Sequence, residues 1–486
     1  MENVSKTGRI GILFAAFEAE PFSKTGGLGD VAGSLPQYIK TAKYDIRVVL
    51  PKLNIIPDVY VSKMRYITEF KVRLSWRDQG CGLWELKRNG ITYYFLDNEY
   101  YFSRGRVYGE FDDGERVAFF SKAALEFLQY VDFEPQILHC NDWHTALMPV
   151  FLREFYNDHP KYRDIKTVFT IHNLKFQGKY SGMLLGDVLG LMNTSAAHQI
   201  MQGEAVNFLQ GAVIYSDRVT TVSPTYAGEI CSPYYGEGLS WLFARRRDVL
   251  SGILNGIDNK RYDPETDLQI PVHFTADTLN KKAEAKLLLQ KEFGLPQDPD
   301  IPLFAVISRL TEQKGLDLIT YNLPKFAGRR MQLAILGVGE PNFEEAFSWY
   351  AGKCPDHVAA RIMFDEGMSR RMYAASDVML VPSRFEPCGL TQMIAMRYGT
   401  LPLVRETGGL KDSVQPYNKF TGEGNGFSFS NYNAHEFWRT VESALDVWEN
   451  NHDNWVKMQK TAMATDFGWH NSAVKYRRLY DELLRG

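Results

Sequence analysis

Residues 251–264 read SGILNGIDNKRYDP, and the same secondary-structure pattern runs on either side of them. Upstream, short apolar runs rich in β-branched and aromatic residues recur as GILFAAF (11–17), DIRVVL (45–50), TYYFLD (92–97), PQILHC (135–140), KTVFTIH (166–172) and RVTTVS (218–223). Helical patterns such as GERVAFFSKAALEFLQYV (114–131) lie between several of them, with apolar positions at three- and four-residue spacing. Downstream, a charged helical stretch, LNKKAEAKLLLQKEFGL (279–295), leads through a proline-punctuated link into LFAVIS (303–308), QLAILG (332–337), ARIMFDE (360–366), DVMLVPS (377–383) and LPLVRET (401–407). Buried strands alternating with helices imply a mainly parallel, doubly wound sheet, and the restart implies two of them. At 486 residues the chain exceeds the length at which one hydrophobic core stops growing, which independently calls for two large domains. The expected division is 1–256, 257–465 and a C-terminal amphipathic helix, 466–486, that packs back on the first domain.

Composition narrows the function. A 45% hydrophobic, 23% charged chain with net charge -3 fits an ordinary enzyme and gives no general attraction to nucleic acid. Its five cysteines are scattered without a CxxC pair, so neither a redox pair nor a cysteine metal site is indicated. No apolar run approaches a membrane span, and the N-terminal RIGILFAAFE lacks the features of a signal peptide. The expected location is the cytoplasm, or the plastid stroma for a processed plant form.

Ligands of open α/β sheets bind outside the carboxyl ends of the strands, so polar residues at those ends carry the candidate chemistry. KTGGLGD (24–30) follows the first strand; its glycines open backbone N–H groups to an anion, with Lys24 as a point charge, or the stretch is simply a tight turn. It is neither a Walker A loop nor a GxGxxG fingerprint. In VISRLTEQKG (306–315), Ser308, Arg309 and Lys314 suit a diphosphate, although solvated cations at a helix start would read the same way. VPSRFEPCGLTQ (381–392) presents Glu386, which should accept hydrogen bonds from sugar hydroxyls, followed by amides at Gly389, Leu390 and Thr391. HCNDWHTAL, TIHNLKFQG and ILNGID supply Asp142, Trp143, His144, His172, Asn173 and Asn255, without zinc-site spacing. The acids Asp112, Asp113 and Glu115 suit a helix N-terminus better than a metal, while Tyr108 offers a face for a sugar ring.

Taken in order from residue 24 to 480, KTGGLGDV, NDWHTAL, TIHNLKFQG, TTVSPTYAGEI, LSGILNGID, SRLTEQKGLDL, PSRFEPCGLTQMIAMRYGTLPLVRETGGLKDSV and DFGWHNSAVKYRRLY resemble the bacterial glycogen synthases and plant starch synthases. The resemblance implies the GT-B fold, two Rossmann-like domains facing each other across a deep interdomain cleft. It also implies retaining transfer of glucose from ADP-glucose to the non-reducing 4-hydroxyl of an α-1,4-glucan such as glycogen, starch or a maltooligosaccharide, with no metal or other cofactor. Carried over by motif, Lys24 and Gly27 lie near the donor phosphates and Arg309 and Lys314 bind the diphosphate. Cys388, Gly389, Leu390 and Thr391 line the phosphate and glucose pocket, Glu386 holds the donor glucose, and His172 and Asn255 border the reacting centre. Asp142 and Tyr108 belong to the acceptor side, and Phe364 stands where the family often has a tyrosine stacked on the base. Related retaining enzymes often carry a second glutamate eight residues after the first; here that position is Ile394. UDP-glucose as donor, an inactive glucan-binding scaffold and a phosphorylase are the rival readings.

Overall fold

Strands buried on both faces dictate the architecture of the computed structural model, which describes residues 8–485. The chain divides into two units. The first takes the chain up to Val222, Ala227–Gly256 and the C-terminal segment from Trp469; the second takes Ser223–Tyr226 and Ile257–Gly468. No helix among the described residues is long and apolar enough to cross a membrane.

The strands of the first unit are β1 (Ile10–Ala15), β2 (Tyr44–Pro51), β3 (Arg65–Leu74), β4 (Arg77–Arg88), β5 (Ile91–Asp97), β6 (Ile137–Asn141), β7 (Lys166–Ile171), β8 (Lys179–Ser181), β9 (Met201–Gln202), β10 (Ala205–Asn207), β11 (Arg218–Thr221) and β12 (Leu250–Gly252). Nine form one sheet in the order β12-β11-β7-β6-β1-β2-β5-β4-β3, and β8, β10 and β9 form a small separate one. Parallel pairing runs from β12 to β5, whereas β5, β4 and β3 pair antiparallel. The sheet is thus mainly parallel as expected, and its antiparallel extension was not foreseen because the second half of β3 alternates buried and exposed residues and so shows no continuous apolar run. The chain leaves β1 first for β2 on one side and later returns as β6 on the other. The carboxyl ends of β1 and β6 therefore form a topological switch point.

The C-terminal helix Trp469–Arg485 belongs to this unit. Its Tyr480 hydroxyl meets Nδ1 of the fully buried His139 at 2.7 Å, Tyr44 donates to Asp481 at 2.5 Å, and Arg477 donates to the Tyr38 carbonyl at 2.6 Å.

In the second unit, β13 (Leu303–Ile307), β14 (Gln332–Leu336), β15 (Val358–Arg361), β16 (Val378–Val381), β17 (Leu401–Arg405) and β18 (Phe427–Phe429) form a fully parallel sheet, β15-β14-β13-β16-β17-β18. Here the switch point lies between β13 and β16. The charged helix Lys282–Phe293 buries two of its lysines: Lys286 pairs with Asp377 at 2.6 Å, and Lys282 donates to the Ala374 and Tyr398 carbonyls at 2.7 and 3.0 Å.

Candidate active-site residues in the two units

At the switch point of the second unit, the loops after β13 and β16 converge. Lys314 closes the short turn Glu312–Lys314, and its Nζ lies 2.6 Å from Oε2 of Glu386, 72 residues later in the chain. The Ser383 hydroxyl donates to the same carboxylate oxygen at 3.0 Å. Only glycine permits this approach at position 315: its φ is +70°, and a Cβ there would lie 2.0 Å from the Pro382 carbonyl oxygen. Behind Glu386, Gly408 (φ +44°) and Gly409 sit so close to the carbonyls of Glu386 and Cys388 that added Cβ atoms would fall within 2.0 and 2.1 Å of them. The glutamate is thus held from three directions and only 7% exposed.

Opposite charges on Lys314 and Glu386 largely offset each other. Arg309, five residues before Lys314 in the same loop, is exposed and has no side-chain partner among the described residues. Next to it in the chain the Ser308 hydroxyl is buried with no hydrogen-bond partner among the described residues. This arrangement suits a ligand with an anionic part for Arg309 and a neutral, hydroxyl-rich part for Glu386. Cys388 is buried, Gly389 takes the left-handed conformation (φ +73°), and Leu390 precedes the helix Thr391–Arg397 without a side-chain cap. Phe364, just past β15, is 87% exposed, a ring face open for stacking. Ile394 is buried in the core.

In the first unit the helix Gly27–Ile39 begins at a Gly26 that supplies no side-chain cap, and the space around Gly26 and Gly27 is open. Lys24 is not a solitary charge: its Nζ pairs with Asp30 at 2.7 Å and Glu20 at 3.3 Å. Beneath this loop lies Glu18, 2% exposed, whose carboxylate accepts from the Thr25 main-chain N–H and hydroxyl. Burial pushes its pKa up, against the hydrogen bonds from Thr25 and the Gly29 main chain that lower it. Thr25 is in turn hydrogen-bonded to the Tyr108 hydroxyl, joining the glycine loop to the Tyr108 segment.

That segment explains the acidic cluster. Asp113 accepts from the Gly109 and Glu110 N–H groups and pairs with the buried Arg116; Asp112 pairs with Arg104 at 2.9 Å. These carboxylates fasten the loop that presents Tyr108. Among the described residues no three His, Cys, Asp or Glu groups converge as a metal ion would need.

After β6, Asp142 takes the rare backbone conformation φ +57° and turns one carboxylate oxygen onto the N–H groups of His172 (2.7 Å) and Asn173 (3.4 Å) beyond β7. Burial raises its pKa to about 7, while those two N–H groups pull the other way. His172 is half-buried with its pKa lowered by desolvation to about 3, so it is neutral near pH 7. His144 stacks on Phe17 (5.2 Å) beside Trp143 (4.1 Å) and Tyr108 (4.9 Å), and neither of its ring nitrogens has a partner among the described residues. Asn255 is 6% exposed, with its side-chain oxygen buried and without a partner among the described residues. His139 is structural, bonded through one ring nitrogen to Tyr480 and through the other to Thr170. Glu18, Ser383 and Asn141 escaped the sequence reading; the acids in EAEP, before the glycine loop, were the one available signal.

Two family profiles match the chain: "starch synthase catalytic domain" over residues 11–245 and "glycosyl transferases group 1" over residues 290–461. A glycogen synthase of Lachnospira eligens is 49% identical over 97% of this chain and 99% of its own length. One from Clostridium novyi is 46% identical over 98% and 99%. Among solved structures, the catalytic domain of starch synthase IV from Arabidopsis thaliana, bound to ADP and acarbose, superposes with a TM-score of 0.90 at 34% identity over 98% of this chain and 100% of that one. Sucrose-phosphate synthase from Thermosynechococcus elongatus, 17% identical with a TM-score of 0.60 over 98% and 100%, shares the fold.

Proposed function

This chain belongs to the glycogen and starch synthase family, with its two-unit GT-B fold, and we propose that its glucosyl donor is ADP-glucose and its acceptor the non-reducing 4-hydroxyl of an α-1,4-glucan. It is a retaining glucosyltransferase that elongates a glucan chain. The observation that carries the donor reading is the Lys314–Glu386 pair in the loops after β13 and β16, with Arg309 exposed in the first of those loops. A nucleotide sugar has the two chemistries that this group asks for: a diphosphate for Arg309 and Lys314, and a hydroxylated ring for Glu386.

In the reaction, the bond from the sugar's anomeric carbon to the diphosphate oxygen breaks as the bond to the acceptor oxygen forms on the same face. The departing phosphate oxygen takes the acceptor's proton, and Arg309 and Lys314 stabilise the charge that develops on ADP. Ser308, Cys388, Gly389, Leu390 and Thr391 complete the donor pocket, with Phe364 stacked on the base. Lys24 and Gly27 assist at the phosphates, His172 and Asn255 attend the transferred sugar, and Tyr108 and Asp142 serve the acceptor. Side chains and amides hold the diphosphate, so activity requires no metal or cofactor, and the enzyme works in the cytoplasm.

Incubation with ADP-glucose, maltotetraose and excess chelator tests this reading, with the new linkage read by NMR. An α-1,4 signal growing with ADP is expected. A β-linked product, or free glucose as the sole product, would overturn it.

A further inference from the structure

Asn141 ends β6 and is 1% exposed. Its amide nitrogen lies 3.0 Å from the Ala15 carbonyl oxygen and 3.5 Å from that of His139. Carbonyl oxygens only accept, so the NH₂ group must face them and Oδ1 must turn the other way. That oxygen is 3.0 Å from Nε2 of His172. An amide oxygen has no proton to give, so the proton in this contact belongs to the ring nitrogen. The neighbouring Asp142 fixes the histidine's main chain while Asn141 fixes its ring.

We propose that Asn141 is a positioning residue that holds His172 as the Nε2–H tautomer, leaving Nδ1 as a hydrogen-bond acceptor for a hydroxyl of the substrate sugar. The identity of that hydroxyl's owner rests on the glucosyl-transfer reading; the tautomer does not. Nδ1 has no partner among the described residues, so its lone pair is uncommitted. Desolvation, which brings the ring's pKa to about 3, keeps it from becoming an imidazolium that would donate from both nitrogens. A lone pair in this position attracts a hydroxyl and repels a carbonyl or phosphate oxygen. The NDWH stretch thereby selects for the polyhydroxylated part of the ligand.

The test is a nitrogen–proton correlation spectrum of the full-length enzyme labelled with ¹⁵N-histidine at pH 7.5, His172 being assigned by its loss in His172→Gln. A protonated Nε2 with an unprotonated Nδ1 is expected. A protonated Nδ1, an imidazolium or an even mixture in the unsubstituted enzyme would overturn the proposal. Asn141→Leu removes the acceptor, and the signals should then move to a mixture of tautomers while kcat/KM for the donor falls about tenfold, the order of one lost hydrogen bond. A folded Asn141→Leu that keeps pure Nε2–H would overturn the role of Asn141, and Asn141→Ala makes the same comparison if the leucine variant does not fold. A merely structural asparagine would leave the tautomer unmoved. Because the spectrum is recorded without substrate, pure Nε2–H in a chain that transferred no glucose would support the tautomer and defeat the functional reading alone.

Discussion

Lys314 carries the largest single expectation about rate. One cation about 4 Å from the charge developing on the leaving group, at an effective dielectric near 20, contributes up to about 4 kcal/mol. Its removal also leaves Glu386 without its 2.6 Å partner in a buried position, so two functions fail together. Lys314→Ala should therefore lower kcat at saturating donor by about two orders of magnitude. A loss below threefold would remove Lys314 from the mechanism. Both residues of this pair were singled out in the sequence because they stand in loops that follow buried apolar runs, although Lys314 also read as a solvated cation at a helix start. Their contact was not legible, because it depends on β13 and β16 being neighbours across 72 residues of chain. Asn141 and Glu18 were illegible for a different reason. Each acts through hydrogen bonds to main chain or to another side chain, and such contacts leave no spacing pattern.

Single elements carry their own expectations. The turn before the helix Leu316–Ala327 depends on Gly315, where alanine meets both a left-handed backbone and the Pro382 oxygen. Gly315→Ala should displace Lys314 from Glu386, lowering both the midpoint of thermal unfolding and kcat; an active variant with unchanged unfolding would contradict the close approach. Strand β6 and its loop set a pH dependence. His139 and His144 are buried with pKa values lowered to about 3 by desolvation, so between the unfolded value of 6.5 and about 3 the unfolded chain binds protons that the folded one refuses. Their contribution to stability is fully present above pH 6.5 and is lost as pH falls, by about 1.4 kcal/mol per histidine per pH unit at most. His144→Phe keeps the aromatic stack and removes two unpartnered nitrogens, so it should flatten the fall in the urea midpoint between pH 7 and pH 5. An unchanged slope would mean that His144 is protonated in the native state. Among elements, the longer parallel strands were legible because burial on both faces writes a continuous apolar run, whereas the three-residue parallel strands β12 and β18 are too short to write one. The antiparallel β3 and β4 alternate with polar residues and merge with loop composition.

At the scale of the whole molecule, the chain leaves its first unit at Ile257 for the bulk of the second and returns to the first at Trp469. The final helix supplies Tyr480 to His139 and Asp481 to Tyr44, so truncation after Gly468 removes the buried Tyr476 and Leu483, uncovers the part of the first unit on which they pack and strands a buried imidazole nitrogen. The truncated protein should lose the thermal transition of the first unit and keep that of the second; two intact transitions would contradict the helix's role. The repeat of the strand pattern around residues 251–264 made the two-unit plan legible, and the order of motifs made the family legible. The most direct test of the central claim follows labelled glucose into glycogen from ADP-glucose and UDP-glucose in parallel, under excess chelator, with Glu386→Ala as control. Incorporation from ADP-glucose that disappears in Glu386→Ala is predicted. Incorporation from neither donor, or incorporation indifferent to Glu386→Ala, would contradict the account.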